Sequence, residues 1–465
     1  MRPFSMRDKL GYTLGDLGCC CTEQFRAMYL SVFYTLIIQV NPFHIGILML
    51  ITKIWDAVND PIIGAIVDSR KATKGGKFIP WIRAFSFPMA VLCILGFVNV
   101  SNLAYGLRLA YMFVTYVLYE ALYTCVNVPF GTLSSVMTDD VRHRTALSRY
   151  RSLGGTIFMT VIVMVGPLVL YVDNKPVAGR FLMLASVFAL IGLLCLQITC
   201  VWCKERVAVP ERPKGEKLNY LHVIKEIAKN KALLGVMFFS LVGMIGASVV
   251  NGLNTYLFKD YFGNVKIMAV SGGLSVLYSL ITFAITQPLA DKLGKKEWCC
   301  WGAGFAAAVF ALLFFFPIHN PVLFIVINGV CYLGASGMQV LIWAMVNDSI
   351  DYHELQTGER NEGIVYSTYS FFRKLASAVS GSLSSFVLGF IGYNVAEGAV
   401  QTAEVSNAIW KSYTGIYVLG YGVAVAILFF VYPLTKAKTT EMLEQLKARR
   451  AEKASAVETD GEQCP

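Results

Sequence analysis

The sequence predicts an all-α membrane protein of twelve transmembrane helices arranged as two six-helix halves. Three observations carry that expectation: a deficit of charge, apolar stretches of spanning length throughout the chain, and basic residues confined to alternate loops. Charged residues make up 15% of the 465 residues and apolar ones 56%, where a soluble domain carries about 25% charged residues. Much of the surface therefore does not face water. One hydrocarbon core takes about 20 helical residues, and backbone polar groups in lipid must be satisfied within helices or closed barrels. The apolar runs are too continuous for barrel strands, which alternate.

The expected spans are 10–38, 44–69, 81–99, 107–136, 150–171, 180–203, 232–258, 267–290, 299–317, 321–347, 362–392 and 408–433. The gaps at 39–43 and 100–106 carry no basic charge beyond their edges, and 318–320 holds only His319. The alternate gaps carry Arg70, Lys71, Lys74 and Lys77, then Arg142 and Arg144, then the run from Lys204 to Lys231, then Lys292, Lys295 and Lys296. An excess of Lys and Arg marks the cytoplasmic side, so both termini are expected in the cytoplasm and the protein in the cell membrane. The net charge of +10 belongs to these loops, and no nucleic-acid partner is expected.

The organisation follows from the loops. Residues 1–203 form an N-terminal six-helix bundle, 204–231 a cytoplasmic linker, 232–434 a C-terminal six-helix bundle and 435–465 a cytoplasmic tail. Within the linker, Tyr220 to Ala232 reads as a short amphipathic surface helix. The tail is charged, helical to about Lys453 and then disordered, and is expected to be solvated. The segment Met1 to Lys9 is basic, but no small-residue cleavage site follows, so the first span is retained. Most of the 12 cysteines sit in apolar runs, such as Cys19-Cys20-Cys21 and Cys299-Cys300, and read as small apolar residues.

An internal echo relates the halves. Span 2 ends Gly64-Ala-Ile-Val-Asp68-Ser-Arg70-Lys71, and span 8 ends Pro288-Leu-Ala-Asp291-Lys292-Leu-Gly294-Lys295-Lys296. Both place an acid at the helix end and bases just beyond. Related six-span halves are the mark of the major facilitator architecture, whose substrate site lies at the midplane.

Charges at bilayer depth cost about 2.5–3.5 kcal/mol on insertion scales and mark function or a buried network. Span 2 reads Lys53-Ile-Trp-Asp56-Ala-Val-Asn59-Asp60-Pro61. Lys53, Asp56 and Asp60 share one helical face. Two carboxylates one turn apart repel unless a cation or a proton lies between them, and hard oxygen ligands suit Na+. A structural network with Lys53 satisfying one acid is the alternative. Span 4 places Glu120, Thr124 and Asn127 on one face, with Pro129 freeing the Cys125 carbonyl. Thr124 and Asn127 are candidates for the cation shell, and Glu120 and Asn127 for solute contact. Span 1 holds Asp16, Glu23 and Arg26, the last two spaced to form a salt bridge or to reach solute. Span 5 opens on Arg149-Tyr150-Arg151, where a guanidinium can grip a hydroxyl or carboxylate or anchor at the membrane surface. In span 11, Lys374 of Phe371-Phe372-Arg373-Lys374 is the base expected to face the acids of span 2. Trp343 is an expected aromatic wall for a sugar ring. Asp68, Lys77, Asp351 and Glu354, at the cytoplasmic ends of their spans, are gate candidates.

These residues resemble a known family. Lys53 to Pro61, followed by Gly76-Lys77-Phe78-Ile79-Pro80-Trp81, is similar to the signature of the glycoside–pentoside–hexuronide:cation symporters, of which the melibiose permeases are members. Tyr123 to Phe130, Asp348 to Gly363 and Lys374 follow in order, and the resemblance covers nearly the whole chain. It implies the major facilitator fold, alternating access, coupling to Na+, Li+ or H+ and no other cofactor. It implies that Asp56 and Asp60 are the cation pair with Thr124 beside them, that Lys374 lies near that site, and that Arg151 lines the sugar cavity. Two positions depart from the melibiose permeases: Cys20 and Asn127 stand where those proteins have aspartates that grip galactosyl hydroxyls. The Asn127-Val-Pro-Phe-Gly form resembles the glucuronide and xyloside members, and Arg26 would tolerate an anionic sugar.

The function expected is import of a sugar, glycoside, pentoside or hexuronide with Na+ or H+, by a monomer in the lipid bilayer. Two other readings are open: a cation-coupled carrier of another solute such as a lysolipid, and a membrane sensor or enzyme without net transport. No catalytic triad, metal motif or phosphate loop is visible, and His44, His143, His222, His319 and His353 are scattered, so an enzyme is not expected.

Overall fold

Long apolar runs broken by Gly, Pro and Asn fold into long helices joined by tight loops. In the computed structural model these are α1 (Met6–Leu36), α2 (Pro42–Ser69), α3 (Ile79–Leu95), α4 (Tyr105–Met137), α5 (Val141–Leu170), α6 (Ala178–Trp202), α7 (Lys231–Tyr256), α8 (Ile267–Leu293), α9 (Lys295–Phe315), α10 (Pro321–Ala335), α11 (Gly337–Thr357), α12 (Ala403–Phe430) and α13 (Lys436–Gly461). A two-strand hairpin, β1 (Tyr171–Val172) with β2 (Lys175–Pro176), joins α5 to α6. The structure describes residues 3–69, 75–138, 140–207, 230–357, 369, 372, 376, 380, 382–396 and 399–461. Tyr220 to Lys229 of the expected linker helix lie outside them. Each expected span has a described helix in its place, except that of 362–392 the continuous described helix is 382–390. Expected span 10 is longer than foreseen: α10 and α11 run on from 321 to 356 as one apolar stretch.

Eight of the described helices are long and apolar enough to cross a membrane. Leu190, Leu194 and Phe283 are each more than half exposed, as lipid-facing side chains should be. The chain resolves into two compact units. One comprises Met1–Lys214, Asn251–Gly273 and Gly381–Trp410, the other Gly215–Val250, Leu274–Ser380 and Lys411–Pro465.

In the first unit α1 packs against α5 and α6, and α4 against α2 and α3. The apolar core between them includes Tyr12, Trp81, Tyr119, Phe130 and Met137. Helix packing in lipid rests on close van der Waals fit rather than on exclusion of water, and polar clamps fix the helix ends. Asp8, fully buried, accepts from the Ser5 amide at 3.0 Å and pairs with Arg206 at 2.9 Å. Arg206 also donates to the Met137 carbonyl at 3.2 Å, tying the start of α1 to the end of α4.

Glu205 does similar work at α3. Its carboxylate accepts from the backbone amides of Lys77 at 2.7 Å and of Phe78 and Ile79 at 2.8 Å. The orphan donors and positive end of a helix N-terminus favour such an anion. Gly76 precedes them with φ of +105°, and a Cβ there would collide with the Glu205 carboxylate. At the matching turn of the second unit Gly294 has φ of +112°, a Cβ there would collide with Glu297, and Glu297 accepts from the Lys436 amide at 3.1 Å. A positive-φ glycine close to a carboxylate thus stands at each of these two turns.

At the end of the first unit opposite Asp8, Asp260 lies in a π-helical turn, Leu257–Tyr261. It pairs with Lys259 Nζ at 2.6 Å and accepts from the Tyr393 hydroxyl at 2.7 Å. Ser406 donates to the Asp260 carbonyl at 3.1 Å. Asn174, in the hairpin, donates to the Lys259 carbonyl and accepts from the Val265 amide, both at 2.9 Å.

In the second unit Lys295 contacts both Asp348 oxygens at 2.8 Å. The tail is not a solvated appendage. Helix α13 continues past Lys453 to Gly461, buries Met442 and Leu446, and donates from its Arg449 to the Leu355 carbonyl of α11 at 2.9 Å. The apolar positions 442 and 446, one turn apart, are enough to dock it.

Replacing Glu205 by Ala strands three helix-terminal amides and is expected to destabilise the folded protein by about 2 kcal/mol. The check is a lowered thermal unfolding midpoint in detergent, with Glu205→Gln losing less.

Candidate functional site

Helices α2 and α4 lie side by side and present matching ladders. On α2 the rungs are Lys53, Asp56 and Asp60; on α4 they are Glu120 and Thr124, one turn apart. Thr124 Oγ1 is 3.3 Å from Asp56 Oδ1 and 3.1 Å from Asp60 Oδ1. A hydroxyl has one proton, so it donates to one carboxylate at a time. The two acids expected to cooperate therefore flank a single buried hydroxyl. Both are half-buried, and Thr124 is 2% exposed.

One turn away, Lys53 Nζ stands 3.8 Å from Glu120 Oε2. The expectation that Lys53 neutralises an acid is met across the helix pair, by Glu120 rather than within its own helix. Glu120 is 2% exposed, so it does not face a solvated edge. Asn127 is half-buried on the same stretch of α4.

The expected pairing of Glu23 with Arg26 does not form. Arg26 is 3% exposed, its guanidinium carbon lies 3.5 Å from the Tyr119 ring centroid and 4.9 Å from that of Tyr116, and its nitrogens make no hydrogen bond. The attraction of a desolvated guanidinium to aromatic faces has turned it away from its neighbour one turn back, whose Oε2 is also buried without a partner. Spacing allowed the salt bridge; the tyrosines of α4 decided the rotamer.

A second group joins α1 to α5. Arg151 Nε donates to Asp16 Oδ1 at 2.9 Å, and the Gly155 amide donates to Asp16 Oδ2 at 3.0 Å. Cys20 Sγ, one turn above, is 3.9 Å from Asp16 Oδ2. Arg151 also lies over the Phe130 ring at 5.3 Å, with its side chain 37% exposed. Asp16 is the residue that the site expectation left out. A lone acid in an apolar span was the available signal, but its partner is 135 positions distant. Gly154 lets the helices meet: a Cβ there would collide with the Thr13 carbonyl and lie 2.8 Å from the Leu17 amide.

The remaining candidates are spread. Trp343, in the second unit, packs edge-on against Tyr369 at 5.0 Å, and the Tyr369 hydroxyl shares a hydrogen bond with Ser240 at 3.0 Å. A pocket of about 80 Å³ in that unit is lined by Gly243, Gly246, Tyr332, Gln339, Tyr417 and Tyr421, an aromatic set that the sequence pattern did not single out. Asp351 and Glu354 lie on the last turns of α11, beside the contact of Arg449 with Leu355. Lys77 donates its amide to Glu205. Asp68 ends α2, its side chain outside the described residues, and Lys374 lies wholly outside them.

Long apolar helices that bury carboxylates, bases and a shared hydroxyl define a polytopic membrane transporter rather than an enzyme. Residues 11–436 match the family model described as MFS/sugar transport protein, and the chain belongs to that family. Similar proteins include the uncharacterized symporter YjmB of Bacillus subtilis, 31% identical over 95% of each chain. A putative glycoside/cation symporter, YagG of Escherichia coli, is 28% identical over 98% of each chain. Among solved structures, the nucleoside transporter NupG aligns over 90% of this chain and 98% of its own, with a TM-score of 0.61 and 15% identity; that likeness bears on fold alone. The expected major facilitator fold is thereby established.

Gly154→Ala forces α1 and α5 apart and is expected to lower the thermal unfolding midpoint. Gly64→Ala, where a Cβ meets nothing within 4 Å, serves as control and is expected to raise stability by up to about 1 kcal/mol. Thermal unfolding of both purified variants reads the difference.

Proposed function

We propose that the chain is a cation-coupled importer of a sugar or glycoside, and that Asp56, Asp60 and Thr124 hold the coupling cation. The observation that supports this most is the shared hydroxyl. Two carboxylates facing one small polar group inside an apolar bundle repel each other. Lys53, the nearest base on their helix, is engaged by Glu120. A small monovalent cation, Na+, Li+ or H+, entering between them relieves the repulsion and finds hard oxygen ligands. Asn127, on the same face of α4, is placed to complete the shell or to meet the solute.

In this reading solute enters beside the cation. Arg151, held by Asp16, offers its remaining N–H groups to a sugar hydroxyl or carboxylate, with Cys20 beside it. Arg26 and Glu23, buried with unpaired polar atoms, are candidates for solute contact through rearrangement of the α1–α4 packing. Trp343 remains the candidate aromatic face for the solute, Lys374 the candidate base for cation coupling, and Asp68, Lys77, Asp351 and Glu354 the candidates for the cytoplasmic gate. The names of the similar proteins, a symporter and a putative glycoside/cation symporter, agree with this reading. So does the distribution of Lys and Arg, which favours a cell-membrane protein with both termini in the cytoplasm; a monomer is the working unit in this reading.

The test is uptake of a panel of labelled glycosides, pentoses and hexuronates by vesicles under imposed Na+, Li+ or H+ gradients. Asp56→Asn and Asp60→Asn are each expected to reduce cation-driven accumulation by about 100-fold or more. Accumulation that survives both substitutions would remove the case for coupling. Thr124→Val is expected to raise the cation concentration for half-maximal uptake about tenfold, and Thr124→Ser to leave it near wild type.

A further inference from the structure

We infer that Glu120 is a positioning residue that holds the Lys53 ammonium away from Asp56 and Asp60, and so sets how tightly that pair takes its cation. The inference rests on the reading of Asp56 and Asp60 as the cation site.

The geometry is a register. Lys53 precedes Asp56 by three residues and Asp60 by seven on one face of α2, and Glu120 precedes Thr124 by four on α4. With the helices packed together, Lys53 meets Glu120 at 3.8 Å while both aspartates meet Thr124. Among the described residues no other salt bridge to Glu120 forms. Arg26, the other base buried near it, spends its guanidinium on the rings of Tyr119 and Tyr116 and makes no hydrogen bond. Among the described residues the buried carboxylate of Glu120 therefore makes its one salt bridge to Lys53, with Arg26 and Glu23 of α1 the other charged groups near the pair.

A lysine on a four-carbon stem, one turn from Asp56, is also a cation tethered beside the site. Its ammonium carries the charge the coupling ion would carry, and tethering gives it a high effective concentration there. Burial requires that it keep a carboxylate partner. While Glu120 is charged, that partner lies off the site. Without the Glu120 charge, the acids left near it are Glu23 on α1 and Asp56 on its own helix, and an ammonium that turns to Asp56 takes the place the ion needs. Glu120 thus makes the site available without touching the ion.

The experiment reads cation binding without solute. Thermal unfolding of the purified protein is followed while NaCl or LiCl replaces choline chloride at constant ionic strength, and separately while pH is lowered in choline chloride. The ion that stabilises the wild type is carried forward. E120Q is expected to raise its half-maximal concentration about tenfold or more, or to shift the proton midpoint down by a pH unit. K53Q/E120Q, which removes the tethered cation and its keeper together, is expected to return within about threefold of wild type. An unchanged value in E120Q overturns the inference, and so does a double variant as weak as E120Q, which would make Glu120 merely structural. Should E120Q not fold, Glu120→Asp is expected to give a rise of about threefold, and no rise overturns the inference. D56N is run alongside. Loss of the ion effect in D56N with an unchanged E120Q leaves the site reading intact and removes only this inference. No ion effect in the wild type, or an unaltered one in D56N, removes both.

Discussion

The first unit is organised by one electrostatic constraint: acids placed inside an apolar bundle need a donor or a cation, and most of them find one. Asp8 finds Arg206 and Ser5, Asp16 finds Arg151 and a backbone amide, Glu120 finds Lys53, and Glu205 finds three successive amides leading into α3. Asp56 and Asp60 differ in kind, because the protein partner they visibly share is a hydroxyl with a single proton. The fixed pairs set the positions of α1 to α6, and the two aspartates with their shared hydroxyl are held within that frame.

The same constraint divides what was legible in the sequence from what was not. Spans were legible because charge deficit and apolar run length are one-dimensional properties, and the α2 ladder was legible because i, i+3 and i+7 spacing fixes a helical face before any packing is known. The sequence echo at Asp68 and Asp291 lies near two turns that each carry a positive-φ glycine, Gly76 and Gly294. Partners across helices were not legible. Asp16 with Arg151, Asp8 with Arg206 and α3 with Glu205 join positions more than 120 residues apart, and nothing in composition pairs them. Arg26 shows the reverse case: the local spacing suggested Glu23, and aromatic rings from α4 won. The docked tail was missed because two apolar residues in a charged helix are a weak signal until the surface that accepts them is known.

The two ladders also bear on why a lysine stands in the same row as the acids. A base so near two carboxylates would ordinarily be read as their neutraliser. Its observed partner on α4 instead lets the row carry net negative charge where the solute path is proposed, while the local sum of Lys53 and Glu120 remains zero. Charge is separated by register, one rung against the next, and not by distance.

The knot around Asp260 sets the kinetics of whatever parts the segments it joins. A carboxylate there is gripped by an ammonium and a phenol, its own carbonyl by a serine, and the adjoining backbone by both ends of one asparagine amide. Short bonds of this kind yield over tenths of an ångström, so resistance is concentrated at the outset of separation and vanishes soon after. Such a closure acts as a catch and not as a spring: it lengthens dwell in the joined arrangement and exerts no pull once the segments have parted.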